Sequence, residues 1–453
     1  MFMRRVFWTA VVALLFAGEA MSAESQRPNI LVVLADDLAD WHLGCYGNKE
    51  IRTPHLDRLA AEGVRLANSF VCTPVCSPSR ATFFTGRTPR QHGIFDFLAG
   101  REIPDPPQGQ AAVPESFRQE VMISDLLSAA GYHCGYVGKW HMGGDAVPQH
   151  GYKFWRVGLS LGRFTDPDVS VDGQKVTEKG YSTEIFTRYA TEFIAQRPQP
   201  WFLVVAYQNP HLPYTGQPQK YYDIYKDATF DSFGIEPKAP NVLREGNLMD
   251  DPIGNLRKAA ASTTALDDQI PPLLEALEKS GQRHNTLVMF TGDNGFLYGR
   301  HGAWSKGHAT HPINMFEEVI RVPMIFSFPG RLRGGRVLQE FVSFYDVLPT
   351  LCEAAGAPVP PDRNLCGRSY WQILLNKQTQ WDNVALFNFR YTDAIRDERY
   401  KLVWRNDGKG PNELFDLQTD PREKRNRIDD PTLAPVKEKL RARLEAWVRR
   451  YQR

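Results

Sequence analysis

"NILVVLADD", residues 29–37, sets an unbroken apolar run against two adjacent aspartates. A run without polar alternation is what a strand buried on both faces requires, as in a parallel sheet covered by helices on each side. The same arrangement recurs along the chain. "YHCGYVG" (132–138) follows the helical pattern "MISDLLSAAG", and "WFLVVAY" (201–207) follows "STEIFTRYATEFIA". "TLVMFTG" (286–292) follows "IPPLLEALEKSG", and "VPMIFSF" (322–328) precedes the helical "YDVLPTLCEAAG". Apolar strands alternating with helices predict an α/β fold with a large, mostly parallel sheet sandwiched by helices.

Beyond about Ala355 the composition changes. A proline-rich stretch (358–361) leads to the short segments "NVALFNF" and "YKLVWR", the turn-like "LQTDPRE" and a charged terminal helix, "PVKEKLRARLEAWVRRYQ". This predicts a smaller C-terminal α+β subdomain, an antiparallel sheet plus terminal helix. The expected organisation is a leader at 1–23, a main domain at 24–355 and the C-terminal subdomain at 356–453, in keeping with a chain of 453 residues that is too long for one small core. Segments 97–120 and 212–256 are rich in Pro, Gly and polar residues and read as long loops, which in compact domains are often functional.

The first residues place two arginines ahead of an apolar run from Val6 to Ala17, with small residues near Ala20 and Ala23. That layout reads as a secretory signal peptide and predicts export, to the periplasm, the extracellular space or, in a eukaryote, the lysosome. The run is shorter than the roughly 20 residues that span a bilayer, so stable membrane insertion is not expected. A net charge of +2 gives no reason to expect nucleic-acid binding. Six cysteines (45, 72, 76, 134, 352, 366) are few for a disulfide scaffold, although Cys352 and Cys366 enclose a short loop and are candidates to pair. The oligomeric state is not legible in the sequence.

In an open parallel sheet, ligands bind beyond the carboxyl ends of the strands. Four apolar runs end in ionisable or amide residues: Asp36 and Asp37; Lys139 and His141; Asn209 and His211; Asp293 and Asn294. Oxygen donors of this kind suit a hard divalent cation better than zinc. One such aspartate is ordinarily a helix cap or turn residue; four strand ends together change that reading. In "VCTPVCSPSRATFFTGR" (71–87), Pro78 fits the first turn of a helix with Ser77 as its cap. Cys76 then sits at a helix N-terminus, where a lowered thiol pKa is expected, and Arg80 returns to the same side one turn later. Thiolate nucleophile, structural thiol and modified residue all stay open on these grounds. A zinc site lacks the second C-x-x-C pair it would need.

"CSPSRATFFTGR" resembles the C-x-P-S-R…T-G-R motif of the formylglycine-dependent sulfatases, members of the alkaline-phosphatase-like superfamily. In the same order as in that family, "PNILVVLADDL" is similar to the N-terminal metal-binding strand, "GYVGKWHMG" to the G-K-W-H-x-G element and "NPHLPY" to the P-H-x-P loop. "FTGDNG" resembles the second metal pair, "GAWSKG" the lysine-bearing loop and "ELFDLQTDPRE" the late turn. The ordered set runs from residue 27 to about 425.

The resemblance implies a hydrolase of sulfate esters. A formylglycine-generating enzyme would oxidise Cys76 to formylglycine (3-oxoalanine), whose hydrate attacks sulfur through one hydroxyl and expels sulfate through the other. It implies Ca²⁺ held by Asp36, Asp37, Asp293, Asn294 and the modified residue 76. Arg80 and Lys139 would stabilise the modified side chain, His141 would assist the elimination, and His211 and Lys306 would bind the sulfate, with His211 as proton donor to the leaving oxygen. Two departures stand out: Met142 replaces the common Leu, and the second metal pair is Asp-Asn rather than Asp-His.

A phosphonate monoester hydrolase or phosphodiesterase shares this nucleophile and metal and is the nearest alternative. A non-catalytic binding module is another, but binding alone would not require the cysteine. Export and long loops suggest a sulfated carbohydrate substrate. Candidate selectors are Trp41, His42, His92, Asp96, His301, His308 and Arg390, the last because a guanidinium suits a carboxylate or second sulfate.

Overall fold

The structure is a computed structural model that describes residues 27–98, 115–377 and 379–452. The expected leader at 1–23 and the middle of the 97–120 loop lie outside the described residues.

Ten strands form the large sheet: β1 (Asn29–Ala35), β2 (Val64–Phe70), β3 (His133–Gly138), β4 (Phe154–Gly158), β5 (Asp168–Val171), β6 (Gln174–Thr177), β7 (Trp201–Ala206), β8 (Thr286–Gly292), β9 (Met324–Ser327) and β10 (Arg336–Ser343). Their spatial order is β10-β2-β9-β8-β1-β7-β3-β4-β5-β6. The centre of the sheet, β8-β1-β7-β3-β4, is parallel, as the apolar runs predict. β9 runs antiparallel to both β8 and β2, and β5 and β6 close the far edge antiparallel. The sheet is therefore mixed but mostly parallel.

β1 shows why the run lacks alternation. Ile30, Val32 and Leu34 enter one apolar layer, with the helices Cys76–Thr85, Ile123–Ala129 and Val347–Ala355. Leu31, Val33 and Ala35 enter the opposite layer, with the helices Pro54–Glu62, Ser182–Gln196 and Ile270–Lys279. Both faces are covered, so every position along the strand is apolar-compatible.

The register decides what happens at the strand ends. Leu34 lies opposite both Thr291 and Ala206, and Gly138 lies opposite Ala206. β8, β1, β7 and β3 thus end at one level, and their following residues emerge side by side. Backbone bonds continue the alignment past the strands, from Asp36 N to Asn209 O, Asp293 N to Ala35 O and Lys139 N to Ala206 O.

The smaller sheet is antiparallel, β11 (Ala385–Phe389), β12 (Thr392–Arg396), β13 (Tyr400–Arg405) and β14 (Glu413–Asp416). The terminal helix Ala434–Arg450 packs Leu440, Leu444 and Trp447 on Ile395, Leu402 and Leu414. The sheet's other face, through Phe387, Phe389, Ala394 and Val403, joins an apolar cluster with Leu297, Ala309 and Val319 of the main domain.

One expectation is corrected here and one open question is answered. Segment 212–256 is not wholly irregular: it holds the helix Gln219–Tyr225, and its Tyr221, Tyr225, Phe230 and Phe233 pack with the helix Pro252–Asp267. Cys352 and Cys366 are free thiols, as are the other four cysteines.

Candidate active site

Every residue of the helix Cys76–Thr85 is buried. Its first residue is Cys76 itself, Val75 is the cap, and Ser79 N bonds back to Val75 O. The expectation that Ser77 caps the helix is therefore corrected: the helix begins before it, and the Ser77 hydroxyl instead accepts the backbone N–H of Leu98 at 3.1 Å. Pro78 stays within the first turn, where a missing N–H leaves no helical bond unmade.

Around the Cys76 sulfur the strand ends converge. Lys306 donates its ammonium to Sγ at 2.7 Å, and Sγ lies 3.5 Å from Asp36 Oδ1 and 3.8 Å from Asp37 Oδ1. Lys306 also pairs with Asp37 Oδ1. Lys139 Nζ donates to Asp36 Oδ2 at 2.6 Å. Arg80 gives its Nε to Asp293 Oδ2 at 2.8 Å and a terminal nitrogen to Lys139 O at 2.6 Å. His211 Nε2 stands 3.6 Å from Asp37 Oδ2, with its ring about a quarter exposed at the mouth of the site.

The expected lowering of the Cys76 pKa is also corrected. Burial is the largest influence and pushes the thiol up; Lys139 and Lys306 pull against it without prevailing. Helix-terminal stabilisation of a thiolate loses here to desolvation. A raised pKa disfavours the thiolate, the form in which a cysteine sulfur attacks.

His141 holds a left-handed backbone, φ 60°. Its Nε2 lies 2.9 Å from Leu98 O, an atom that only accepts, so the proton sits on Nε2. Nδ1 is buried without a partner among the described residues. Burial, then the charge of Lys139, holds the imidazole well below its ordinary pKa, so Nδ1 is a free base.

Ligand atoms of Asp36, Asp37, Cys76 and His211 lie within 4.8 Å of one another. Asn294 donates Nδ2 to Asp37 Oδ1 at 2.8 Å, while its buried Oδ1 has no partner among the described residues. Burial and then the charge of Asp36 push Asp293 up to about 6. An orphaned amide oxygen among crowded carboxylates is a donor set that fits a hard divalent cation.

These residues lie within a match to the Sulfatase family over residues 28–357; the N-sulphoglucosamine sulphohydrolase C-terminal family matches 300–450. The chain belongs to the sulfatase family. It is a sulfuric ester hydrolase by that membership. An N-acetylglucosamine-6-O-sulfatase of Bacteroides thetaiotaomicron is 26% identical across 98% of this chain and 90% of its own length. A structure solved with k-i-k-neocarrahexaose superposes with a TM-score of 0.74 at 27% identity, covering 94% of each chain. The phosphonate monoester hydrolase of Agrobacterium radiobacter shares the fold, with a TM-score of 0.70 at 20% identity over 94% of this chain and 96% of that one.

The sulfatase accounts for several sequence candidates by packing. His42 is fully buried and stacks on Tyr298 with ring centroids 3.8 Å apart, which corrects its reading as a substrate contact. Trp41 packs edge-on to His42 and Phe233 and carries the Arg300 guanidinium at 3.7 Å over its ring. His301 stacks on Phe316 and lies 3.1 Å from Glu318 Oε2. These contacts show what holds Trp41 and His301 in place, and both residues stay partly exposed. His92 is buried between Thr82 and the backbone N–H of Ile94.

Sequence reasoning missed the residues that hold the site from behind. Tyr298 donates its hydroxyl to Asp37 O at 2.7 Å, and Tyr136 donates to Lys139 O at 2.7 Å. Ser79 donates to Asp293 O. Nothing in their spacing marks them, because each acts on a backbone carbonyl brought close only by the fold.

Proposed function

We propose that this chain is an exported sulfatase that removes a sulfate group from a sulfated carbohydrate, using formylglycine made from Cys76 by a formylglycine-generating enzyme, and Ca²⁺. The observation that carries the reading is the fully buried residue 76 at a helix start, ringed by Lys306, Lys139, Asp36 and Asp37. The names of relatives support the substrate class: one is an N-acetylglucosamine-6-O-sulfatase, and one was solved with a neocarrahexaose. Because Cys76 is inaccessible in the folded chain, its oxidation must precede closure of the site.

The sulfur of Cys76 marks the place of the modified side chain. A formylglycine at this place would, as its hydrate, supply one hydroxyl to attack sulfur and a second to release sulfate. Asp36, Asp37, Asp293 and Asn294 would hold a divalent cation, which would supply positive charge to a bound sulfate ester. The chain's own residues do the rest. Lys306 and Lys139 bring positive charge to a sulfate ester whose charge would otherwise repel the nucleophile. Arg80 neutralises Asp293 and orients the Lys139 carbonyl. His141 takes the proton of the second hydroxyl on Nδ1. His211 bonds its Nδ1 to Leu212 O at 2.6 Å, which leaves Nε2 to protonate the leaving alkoxide.

Mass spectrometry of the tryptic peptide Leu66–Arg80 from active enzyme should show formylglycine at position 76. An unmodified thiol in active protein would sink the mechanism. The phosphonate hydrolase alternative shares fold and nucleophile; kinetics on paired 4-nitrophenyl sulfate and phenylphosphonate monoester substrates separate the two.

A further inference from the structure

Three segments distant in sequence close around the mouth of the site, and each brings a basic side chain. The first is the lysine-bearing loop. Gly307 N bonds to Pro74 O, two residues before the nucleophile, and His308 follows it. The second is the β11–β12 hairpin. Its Asn388 N bonds to Cys72 O, its Phe389 ring packs on Gly307, and its turn holds Arg390 at φ 51°. The third is 241–244, stitched to the lysine-bearing loop by bonds from His311 N to Asn241 O and from Leu243 N to Ala309 O.

The side chains are unequally satisfied. Arg390 donates Nε to Asp96 Oδ2 at 2.7 Å. Asp96 immediately precedes Phe97, whose ring lies edge-on to His141 at 4.8 Å between centroids, so the pair borders the catalytic histidine. His308 is 5% exposed, and its Nδ1 has no partner among the described residues. Arg244 is half-buried and forms no side-chain hydrogen bond or ion pair among the described residues. It is close enough to His308 to depress that imidazole's basicity, behind burial and Lys306 in effect. Two carboxyls share the region: Asp96, hydrogen-bonded to Arg390 and within reach of the charge of Arg244, and Glu245, set near Lys306, Asp37 and His211 with burial raising its pKa.

We propose that Arg244, together with His308 and Arg390, forms a subsite for a second anionic group, sulfate or carboxylate, on the saccharide that carries the scissile sulfate. This rests on the sulfatase reading above and narrows its substrate class to polyanionic saccharides. Arg244 is near enough to Asp96 to favour its charged form, yet forms no hydrogen bond to it among the described residues, so a planar oxyanion can still take two parallel bonds from the half-buried guanidinium. The buried, unpaired His308 Nδ1 supplies a further polar contact. Arg390, already held by Asp96, adds its charge close to His308 as well.

The test compares matched probes on the formylglycine-bearing enzyme and its Arg244→Gln variant. One pair is N-acetylglucosamine-6-O-sulfate against glucosamine-2-N,6-O-disulfate; a second is a monosulfated neutral disaccharide against its uronate-bearing counterpart, which tells sulfate from carboxylate. The wild type should prefer the dianionic member of at least one pair by tenfold or more in kcat/KM. Arg244→Gln should erase that preference, with a loss about 10- to 100-fold greater on the dianion than on 4-nitrophenyl sulfate, carried mainly by KM. No preference for any dianion, or equal losses on all probes, would overturn the subsite. Calorimetric binding of the same saccharides to both proteins reads the subsite without turnover. If the enzyme hydrolyses phenylphosphonate monoesters and no sulfate, the reaction reading falls, while the dianion's binding advantage, kept or absent, still decides the subsite.

Discussion

Arg80 shows how tightly charge is balanced at single positions. Its side chain is wholly buried and faces an equally buried Asp293. Removing one partner of such a pair leaves an uncompensated charge in a dry interior. Arg80→Ala should therefore cost about 3–5 kcal/mol in denaturant unfolding and abolish turnover, and Arg80→Lys should recover only part of the stability because it cannot reach both Asp293 and the Lys139 carbonyl. His211 invites a different experiment, since its proposed work is to protonate the leaving oxygen. A 4-nitrophenolate leaves without help, whereas a sugar alkoxide does not. His211→Ala should lower kcat on a sulfated sugar by about 10²–10⁴-fold and lower it far less on 4-nitrophenyl sulfate. Equal losses on the two substrates would remove His211 from the acid role and leave it a sulfate ligand.

Elements, rather than single side chains, carry these groups to one place, and close backbone approach is part of the means. A Cβ on Gly307 would lie 2.5 Å from Pro74 Cγ and 3.2 Å from the Phe389 ring. Gly307→Ala must push the lysine-bearing loop from the segment before the nucleophile, moving Lys306 with it. Activity should fall at least tenfold with the far-ultraviolet circular dichroism unchanged, because a misplacement of about 1 Å is enough to cost that much. Legibility divides along the same lines. β1, β7 and β8 were readable because both faces are buried and the apolar run is unbroken. β2, "VRLANSF", was not: it alternates half-exposed Arg65, Ala67 and Asn68 with buried neighbours and carries little apolar weight. The helix Pro252–Asp267 was missed because its buried positions are mostly Ala, Ser and Thr, which give no amphipathic period. The polar strand ends were legible as a group, but the sign of the Cys76 shift was not. Helix position argues one way and burial the other, and only the fold shows which is larger.

At the scale of the molecule, the site joins the main sheet to the small one: Asp36, Asp37, Asp293 and Lys139 come from the first, while Arg390 comes from the second. Three carboxylates at that junction pair with Arg80, Lys139 and Lys306, and beside them lies an amide oxygen with no partner among the described residues. A cation bound there contributes to the folded state and has no preformed site in the unfolded chain, so it should stabilise the whole protein by mass action. At a free Ca²⁺ concentration 100-fold above its dissociation constant the gain is about 2.7 kcal/mol. Thermal unfolding of enzyme stripped with EGTA and then restored with Ca²⁺ should show a rise in Tm that grows with the logarithm of concentration. Asn294→Ala removes the orphaned oxygen while leaving all three carboxylates, and should shift that response to higher Ca²⁺ by tenfold or more. Asn294→Asp restores an oxygen donor and adds charge, and should bring the response back. Active enzyme whose Tm ignores both EGTA and Ca²⁺ would show that the three cations on Lys139, Lys306 and Arg80 suffice to hold the carboxylates, and that no exchangeable Ca²⁺ belongs to the site.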